Sequence, residues 1–195
     1  MRPERTLRII AGQWRGRKFR FPPLDIRPTP DRVRETLFNW LALHIEGARC
    51  LDLFAGSGAL GLEALSRGAA EVMFIEQARA AVTSIERLLV EWRASGGIAL
   101  CDEAVRFLSA PPPHRFDIVF LDPPYDSGAL GRCAALLEHG WLAPGARIYV
   151  EHARREPLPP LPAGWQSLRA GSAGEVGYHL YGLGVATPAG SQDTL

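Results

Sequence analysis

The sequence predicts a doubly wound α/β domain: a central, mostly parallel sheet of about seven strands, helices on both faces, and a small N-terminal β-hairpin. Three observations predict it. Between residues 49 and 151, short apolar runs alternate with helical patterns five times, and the connections are short. A glycine-rich stretch, Gly56-Ser57-Gly58-Ala59-Leu60-Gly61, stands where the first of these runs gives way to its helix. A proline-rich segment, 153–164, then separates the last unit from two further strand patterns, which add an antiparallel edge.

Taken in order, residues 7–21 read as two short strands around Gly12-Gln13-Trp14-Arg15-Gly16, with Trp14 near the tip. Pro22 and Pro23 end the second strand because proline donates no ladder hydrogen bond. Pro28-Thr29-Pro30-Asp31 starts a helix, and Val33, Leu37, Trp40, Leu41 and Leu43 extend its apolar stripe to about Ile45. The alternating units follow. Strand Cys50–Leu53 leads through the glycine loop into a helix to about Arg67, and strand Glu71–Glu76 into a helix from about Ala78 to Trp92. Strand Ile98–Cys101 precedes a short helix ending near Ser109. The run Phe116–Leu121 is followed by a helix through Leu136 and Leu137, and then by strand Ala146–Glu151. Residues 166–170 and 177–183 form the closing hairpin. The expected organisation is an arm over residues 1–27, a domain over 28–184 and a frayed, flexible tail over 185–195.

With 195 residues, 47% of them apolar, the chain can bury one sizeable core. It has neither an apolar run long enough to span a bilayer nor an apolar signal core behind Met1-Arg2-Pro3-Glu4-Arg5, so a cytoplasmic location is expected. Cys50, Cys101 and Cys133 are widely spaced, with no C-x-x-C pair, and read as buried free thiols. His44, His114, His139, His152 and His179 show no metal-ligand spacing, so no metal is expected, although His152 follows a strand and could lie near the crevice. The net charge of +1 hides an asymmetry: residues 1–34 hold ten basic side chains against three acids, leaving the remainder at −6. A basic arm on a mildly acidic body suits a polyanion, and a solvated charged face is the plainer alternative. Trp14 is placed either to stack on a base or to anchor the hairpin.

The chemistry gathers at strand ends, which face the ligand crevice of an open parallel sheet. Gly56 and Gly58 allow close approach of backbone and ligand, the following helix offers free N–H groups, and Glu76 can accept from both ribose hydroxyls. A nucleoside-containing cofactor follows, either a nicotinamide dinucleotide or S-adenosylmethionine. Asp52 favours the second, since a carboxylate there suits a cationic amino-acid group and repels a pyrophosphate. Asp102 can accept from an adenine amino group or merely cap its helix. Asp122-Pro123-Pro124-Tyr125, directly after an apolar run, makes a stiff turn that presents a carboxylate, a carbonyl and an aromatic ring. That set suits a flat base bearing an amino group.

With these residues the chain resembles a class I S-adenosylmethionine-dependent amino methyltransferase, on Asp52-x-Phe54-Ala55-Gly56-Ser57-Gly58 together with Asp122-Pro123-Pro124-Tyr125. Its N-terminal half, Arg8-Ile9-Ile10-Ala11-Gly12-Gln13-Trp14-Arg15-Gly16-Arg17 and Arg27-Pro28-Thr29-x-Asp31-Arg32-Val33-Arg34-Glu35-Thr36-Leu37-Phe38-Asn39-Trp40-Leu41, is similar to the RsmD family of bacterial methyltransferases. The resemblance runs from about residue 7 to 183. It implies a Rossmann-like class I methyltransferase fold and methylation of the exocyclic N2 of one guanine in 16S ribosomal RNA. The substrate would be the small ribosomal subunit or its assembly intermediate, and the enzyme a monomer.

It further implies that Asp122, Pro123 and Tyr125 hold the target base. Asp52, Phe54, Ala55, Gly56, Ser57, Gly58, Glu76 and Asp102 would hold S-adenosylmethionine. Arg8, Trp14, Arg15, Arg17, Lys18 and Arg32 would face the RNA. Gln77-Ala78 after Glu76 departs from the family, where a further acid often stands nearby. Three rival readings remain at this point: a DNA amino methyltransferase acting on adenine N6 or cytosine N4, a nicotinamide-dependent oxidoreductase, and a non-catalytic RNA-binding assembly factor on the same scaffold.

Overall fold

A computed structural model describes residues 5–22, 29–125 and 127–184. Arg27 and Pro28 of the family segment and the expected tail at 185–195 lie outside them. The first two strands, β1 (Arg5–Arg8) and β2 (Lys18–Phe21), pair antiparallel with Arg8 opposite Lys18. Both are shorter than the sequence pattern suggested, because residues 9–17 form turns instead. Along β2 the charged Lys18 and Arg20 face out while Phe19 and Phe21 are buried. Ile9 and Phe19 belong to the same core cluster as the first helix, so hairpin and body share one interior.

The first helix, α1 (Asp31–Trp40), begins after Pro30 and ends five residues short of the expected Ile45. The apolar pattern misled there: Leu41 and Ile45 are buried from turns, and Leu43 is 94% exposed. The alternating units are β3 (Arg49–Asp52), α2 (Ala59–Ser66), β4 (Glu71–Glu76), α3 (Arg79–Glu91), β5 (Gly97–Cys101) and α4 (Ala104–Leu108). They continue as β6 (Phe116–Leu121), α5 (Ala129–Leu137) and β7 (Leu142–Ala153), and the chain closes with β8 (Trp165–Ala173) and β9 (Val176–Leu183).

The sheet order is β5-β4-β3-β6-β7-β9-β8, parallel from β5 through β7, with β9 and β8 antiparallel at one edge. The closing strands are longer than the sequence indicated. Side chains alternate between two cores. Cys50, Val72, Phe74, Ile118, Phe120 and Tyr149 meet the hairpin, α1, α2 and α3 on one face. Leu51, Met73, Ile75, Val119, Ile148 and Val150 meet α4 and α5 on the other. The chain order reverses between β3 and β6, which lie side by side at the centre, and a ligand crevice belongs at their carboxyl ends.

Candidate active site

The glycine loop is shaped by its own backbone. Gly58 is the N-cap of α2 at φ 78°, a left-handed conformation that a side chain disfavours. Gly61 has another reason for lacking one: a Cβ there would come within 2.1 Å of the Phe74 ring, so its absence lets α2 lie close on β4. Because Gly58 has no side chain to cap the helix, the first-turn donors need another acceptor. Asp52 supplies it from the end of β3, with Oδ2 accepting from the Gly61 N–H at 3.1 Å.

Asp52 is 2% exposed, and burial pushes its carboxyl up to about 7; the nearby Glu76 charge adds to the rise, against the Gly61 hydrogen bond. Glu76, at the end of β4, accepts from Gly56 N–H at 2.9 Å on one oxygen and from Ala78 N–H at 2.7 Å on the other. The two acids therefore brace the loop from both sides. A carboxylate has about four lone-pair sites, so Glu76 keeps capacity for further donors.

In front of these strand ends lies a cavity of about 510 Å³, within the range of small-ligand sites. It brings together Phe54, Glu76, Asp102, Asp122, Pro123 and Tyr125 of the sequence-derived set. Asp52, Ala55, Gly56, Ser57 and Gly58 do not line it and shape it from behind. Asp102 lines it too, with Oδ1 accepting from Glu103 N–H at 2.6 Å and from the Arg106 guanidinium. The N-cap of α4 is Glu103, whose carboxylate accepts from Val105 and Arg106 N–H, so the capping alternative for Asp102 is corrected. Pro123 is buried and the Tyr125 ring is 42% exposed at the rim.

Two further residues in the cavity wall were not singled out from sequence. Thr29, just before α1, donates from Oγ1 to Glu151 Oε1 at 3.0 Å and lies 3.4 Å from Asp122 Oδ2. Glu151 is 2% exposed on β7, and Tyr149 Oη donates to its Oε1 at 2.7 Å. Burial pushes Glu151 up to about 7, against the Tyr149 and Thr29 hydrogen bonds. Burial also raises Asp122 well above the usual carboxylate range, reinforced by Glu151 and then Asp52. The signal for Glu151 was available: an acid on the inward register of a central strand, one residue past Val150. His152 has the opposite facing from Glu151 along β7 and meets His179, Nε2 to Nε2 at 3.1 Å, away from the cavity lining.

The hairpin residues are placed outside the cavity lining. Trp14 takes an anchoring position: it is half-buried, with its ring 5.1 Å from that of Trp92. Arg17 lies over the same Trp92 ring at 5.0 Å and 3.8 Å from Glu91. Arg8 pairs with Asp31 at 2.9 Å. Arg15, Lys18 and Arg32 are exposed. Behind them, buried Glu63 on α2 accepts from Ile10 N–H at 2.8 Å and Ala11 N–H at 3.0 Å, and pairs with Arg67 at 2.8 Å and buried Arg34 at 3.7 Å. Ser66 adds a further bond from Trp14 N–H.

The family model described as "Conserved hypothetical protein 95" matches residues 7–182. The chain is 51% identical over 178 residues to "Ribosomal RNA small subunit methyltransferase D" of Escherichia coli K12, covering 90% of this chain and 89% of that one. The chain belongs to this methyltransferase family. RsmD-type relatives extend further: the Haemophilus influenzae protein of the same name is 45% identical over 183 residues, covering 90% and 93%. Among solved structures, yhhF of Escherichia coli superposes with a TM-score of 0.85 at 48% identity, covering 91% of this chain and 98% of that one. HI0767 of Haemophilus influenzae gives 0.79 at 41% identity, covering 91% and 98%. The fold is thus the class I methyltransferase fold and the protein is a methyltransferase.

Proposed function

We propose that the protein transfers a methyl group from S-adenosylmethionine to the exocyclic N2 of a guanine in 16S ribosomal RNA, acting on the small subunit or a precursor of it. The observation that carries this reading is the shared cavity, into which the Asp122-Pro123-Pro124-Tyr125 turn and the ends of β3 and β4 all open. The relatives named for small-subunit ribosomal RNA support the substrate.

The donor set fits a cationic cofactor better than an anionic one. The N-terminus of α2 would ordinarily attract phosphate, but here Asp52 already occupies it with a carboxylate. A pyrophosphate would face that acid, whereas an ammonium or sulfonium would gain from it. This disfavours the nicotinamide reading. Glu76 would hold the ribose hydroxyls, Asp102 the adenine amino group and Phe54 the apolar part of the ligand. S-adenosylmethionine supplies an electrophilic methyl on a sulfonium when bound.

The remaining chemistry belongs to the chain. An arylamine nitrogen is a poor nucleophile because its lone pair is delocalised into the ring. Asp122 and the Pro123 carbonyl accept its N–H bonds, which localises the lone pair and fixes its direction. Most of the rate then comes from positioning, with the acceptors offsetting charge that develops on nitrogen. Tyr125, at the rim, stacks on the base and offsets part of the cost of unstacking it from RNA. Arg15, Lys18 and Arg32 contact phosphates.

The test is transfer of labelled methyl to small subunits lacking the modification, to naked 16S RNA and to duplex DNA, followed by digestion to nucleosides. N2-methylguanosine from the first or second substrate is expected. Label only in DNA, or in another base position, would overturn the reading.

A further inference from the structure

Methylation of a neutral amine leaves the nitrogen with one proton too many, and that proton must reach an acceptor. Asp122 can take it, yet Asp122 is also needed as an ionised acceptor in the next turnover. The structure places a second acid one hydroxyl away. Thr29 Oγ1 stands 3.0 Å from Glu151 Oε1 and 3.4 Å from Asp122 Oδ2. A hydroxyl has one proton to give and two lone pairs to receive. The chain Asp122–Thr29–Glu151 is therefore fully hydrogen-bonded when the two acids hold a single proton between them. That proton can sit on either acid, and exchange through Thr29 carries it from one to the other without moving a heavy atom.

We propose that Glu151 receives, through the Thr29 hydroxyl, the proton that Asp122 draws from the substrate amine. The inference rests on the amine-methylation reading above. The N–H bond breaks with its pair left on nitrogen, and an O–H bond forms on Asp122. The Asp122 proton passes to Thr29 Oγ1 as the Thr29 proton passes to Glu151, so Asp122 returns to its ionised form.

Glu151 is built for this and poorly explained otherwise. It is 2% exposed, and a buried acid is retained at a cost unless its partners compensate. Its hydrogen-bond partners are both hydroxyls, Thr29 and Tyr149, and no ion pair to it is formed among the described residues. The groups that face it are Asp122 from the end of β6, Asp52 beyond it on β3, Tyr149 on its own strand and Tyr178 opposite it on β9. Across the cavity stand Glu76, Asp102, Glu103 and Arg132. Burial raises the proton affinity of both acids, and at Asp122 the charges of Glu151 and Asp52 add to it. The simpler alternative is that Glu151 only anchors Thr29 and so the start of α1. An isosteric amide separates the two, because Glu151→Gln keeps an oxygen for both hydroxyls and removes the proton acceptor.

The experiment measures single-turnover methyl transfer against pH for the wild type, Glu151→Gln, Thr29→Val and Thr29→Ser, with S-adenosylhomocysteine affinity as control. The wild-type rate should fall as pH drops through about 7, where Glu151 gains its proton. Glu151→Gln should move that limb to lower pH, because Asp122 loses the Glu151 charge that raises it, with a plateau roughly 100-fold lower, the low end of general-base effects. Thr29→Val should lose the plateau similarly and Thr29→Ser should restore it. In the cofactor-free protein at pH 6, the infrared absorption of protonated buried carboxyls should lose one component in Glu151→Gln, with the Asp52 contribution remaining. A Glu151→Gln profile matching the wild type in limb and plateau would overturn the inference alone. So would full activity in Thr29→Val, which decides the matter if Glu151→Gln does not fold. A wild-type protein that methylates no amine would instead overturn the reading beneath it.

Discussion

Replacing Asp52 by asparagine should make the protein more stable at pH 8 and worse at its task. In an unfolded chain this carboxyl titrates near 3.8, whereas burial in the fold pushes it up to about 7. Below pH 4 both states hold the proton and Asp52 contributes nothing to the pH dependence. As pH rises from 4 to 7 the unfolded chain releases its proton first, so stability falls; above 7 the loss is complete and constant. At about 1.4 kcal/mol per unit, the folded state carries a cost on the order of 4 kcal/mol at pH 8 and about 1.7 kcal/mol at pH 5.

Asparagine keeps an oxygen for the Gly61 N–H, but its NH₂ cannot accept as the carboxylate does from both Gly61 and Phe54 N–H, a penalty of about 1–3 kcal/mol at any pH. That penalty cancels when the two pH values are compared. The stability of Asp52→Asn relative to wild type should therefore improve by about 2–3 kcal/mol from pH 5 to pH 8, or roughly 4–12 °C in Tm for a chain of this length. Urea titrations of both proteins at both pH values give the quantity directly. S-adenosylhomocysteine affinity should drop over the same substitution. A pH-independent difference, or one that shrinks toward pH 8, would refute the buried-acid argument, and unchanged ligand affinity would remove Asp52 from the cofactor's support.

The other consequences are narrower. Asp122→Ala should lower single-turnover methyl transfer by at least 100-fold while S-adenosylhomocysteine affinity, by calorimetry, stays within about threefold, since its oxygens serve the amine. Tyr125→Ala should raise the RNA KM or lower kcat/KM by the equivalent of about 1–3 kcal/mol, with Tyr125→Phe close to wild type; equal damage from both would rule out stacking. Arg15→Glu and Lys18→Glu should weaken RNA binding and reduce the salt slope of log Kd by about one each, measured by filter binding across a salt series. A slope unchanged in both would leave the hairpin as scaffold.

Most of the fold was legible because its signals are local and repeated. Short apolar runs, each followed by a helical stripe, left little freedom in topology, and the glycine loop, with Gly58 in the left-handed conformation, marks the first turn into a helix. The ends of elements were less legible where burial does not require regular structure. Leu41 and Ile45 satisfy the core from turns, so their spacing imitates another helical turn. At the site, Asp122, Tyr125 and Glu76 were readable because strand ends in such a sheet have a known facing. Glu151 carried a signal, an acid on the inward register of its strand, but its meeting with Thr29 did not, since the two positions lie 122 residues apart and no local pattern encodes the contact. The same holds for Asp52, whose residue type was informative but whose task of capping α2 appears only when Gly61 is seen 3.1 Å away.

The hairpin is where sequence and structure lead to different experiments. Its charge invites removal of the first 21 residues as a test of RNA binding. But Ile9, Phe19 and Phe21 are buried against the body, and stripping three such side chains costs roughly 5–9 kcal/mol at ordinary burial values. That is comparable with the whole stability of a typical domain, about 5–15 kcal/mol. The deletion would also leave Glu63, 0% exposed, without the Ile10 and Ala11 donors that it now satisfies. Loss of activity after truncation would then report unfolding rather than recognition. The outward charges on the same strands can be reversed without touching that core, because Lys18 and Arg20 alternate with the buried Phe19 and Phe21. The alternation that makes β2 a strand thus lets the scaffold contribution of the arm be held constant while the proposed RNA contact is tested.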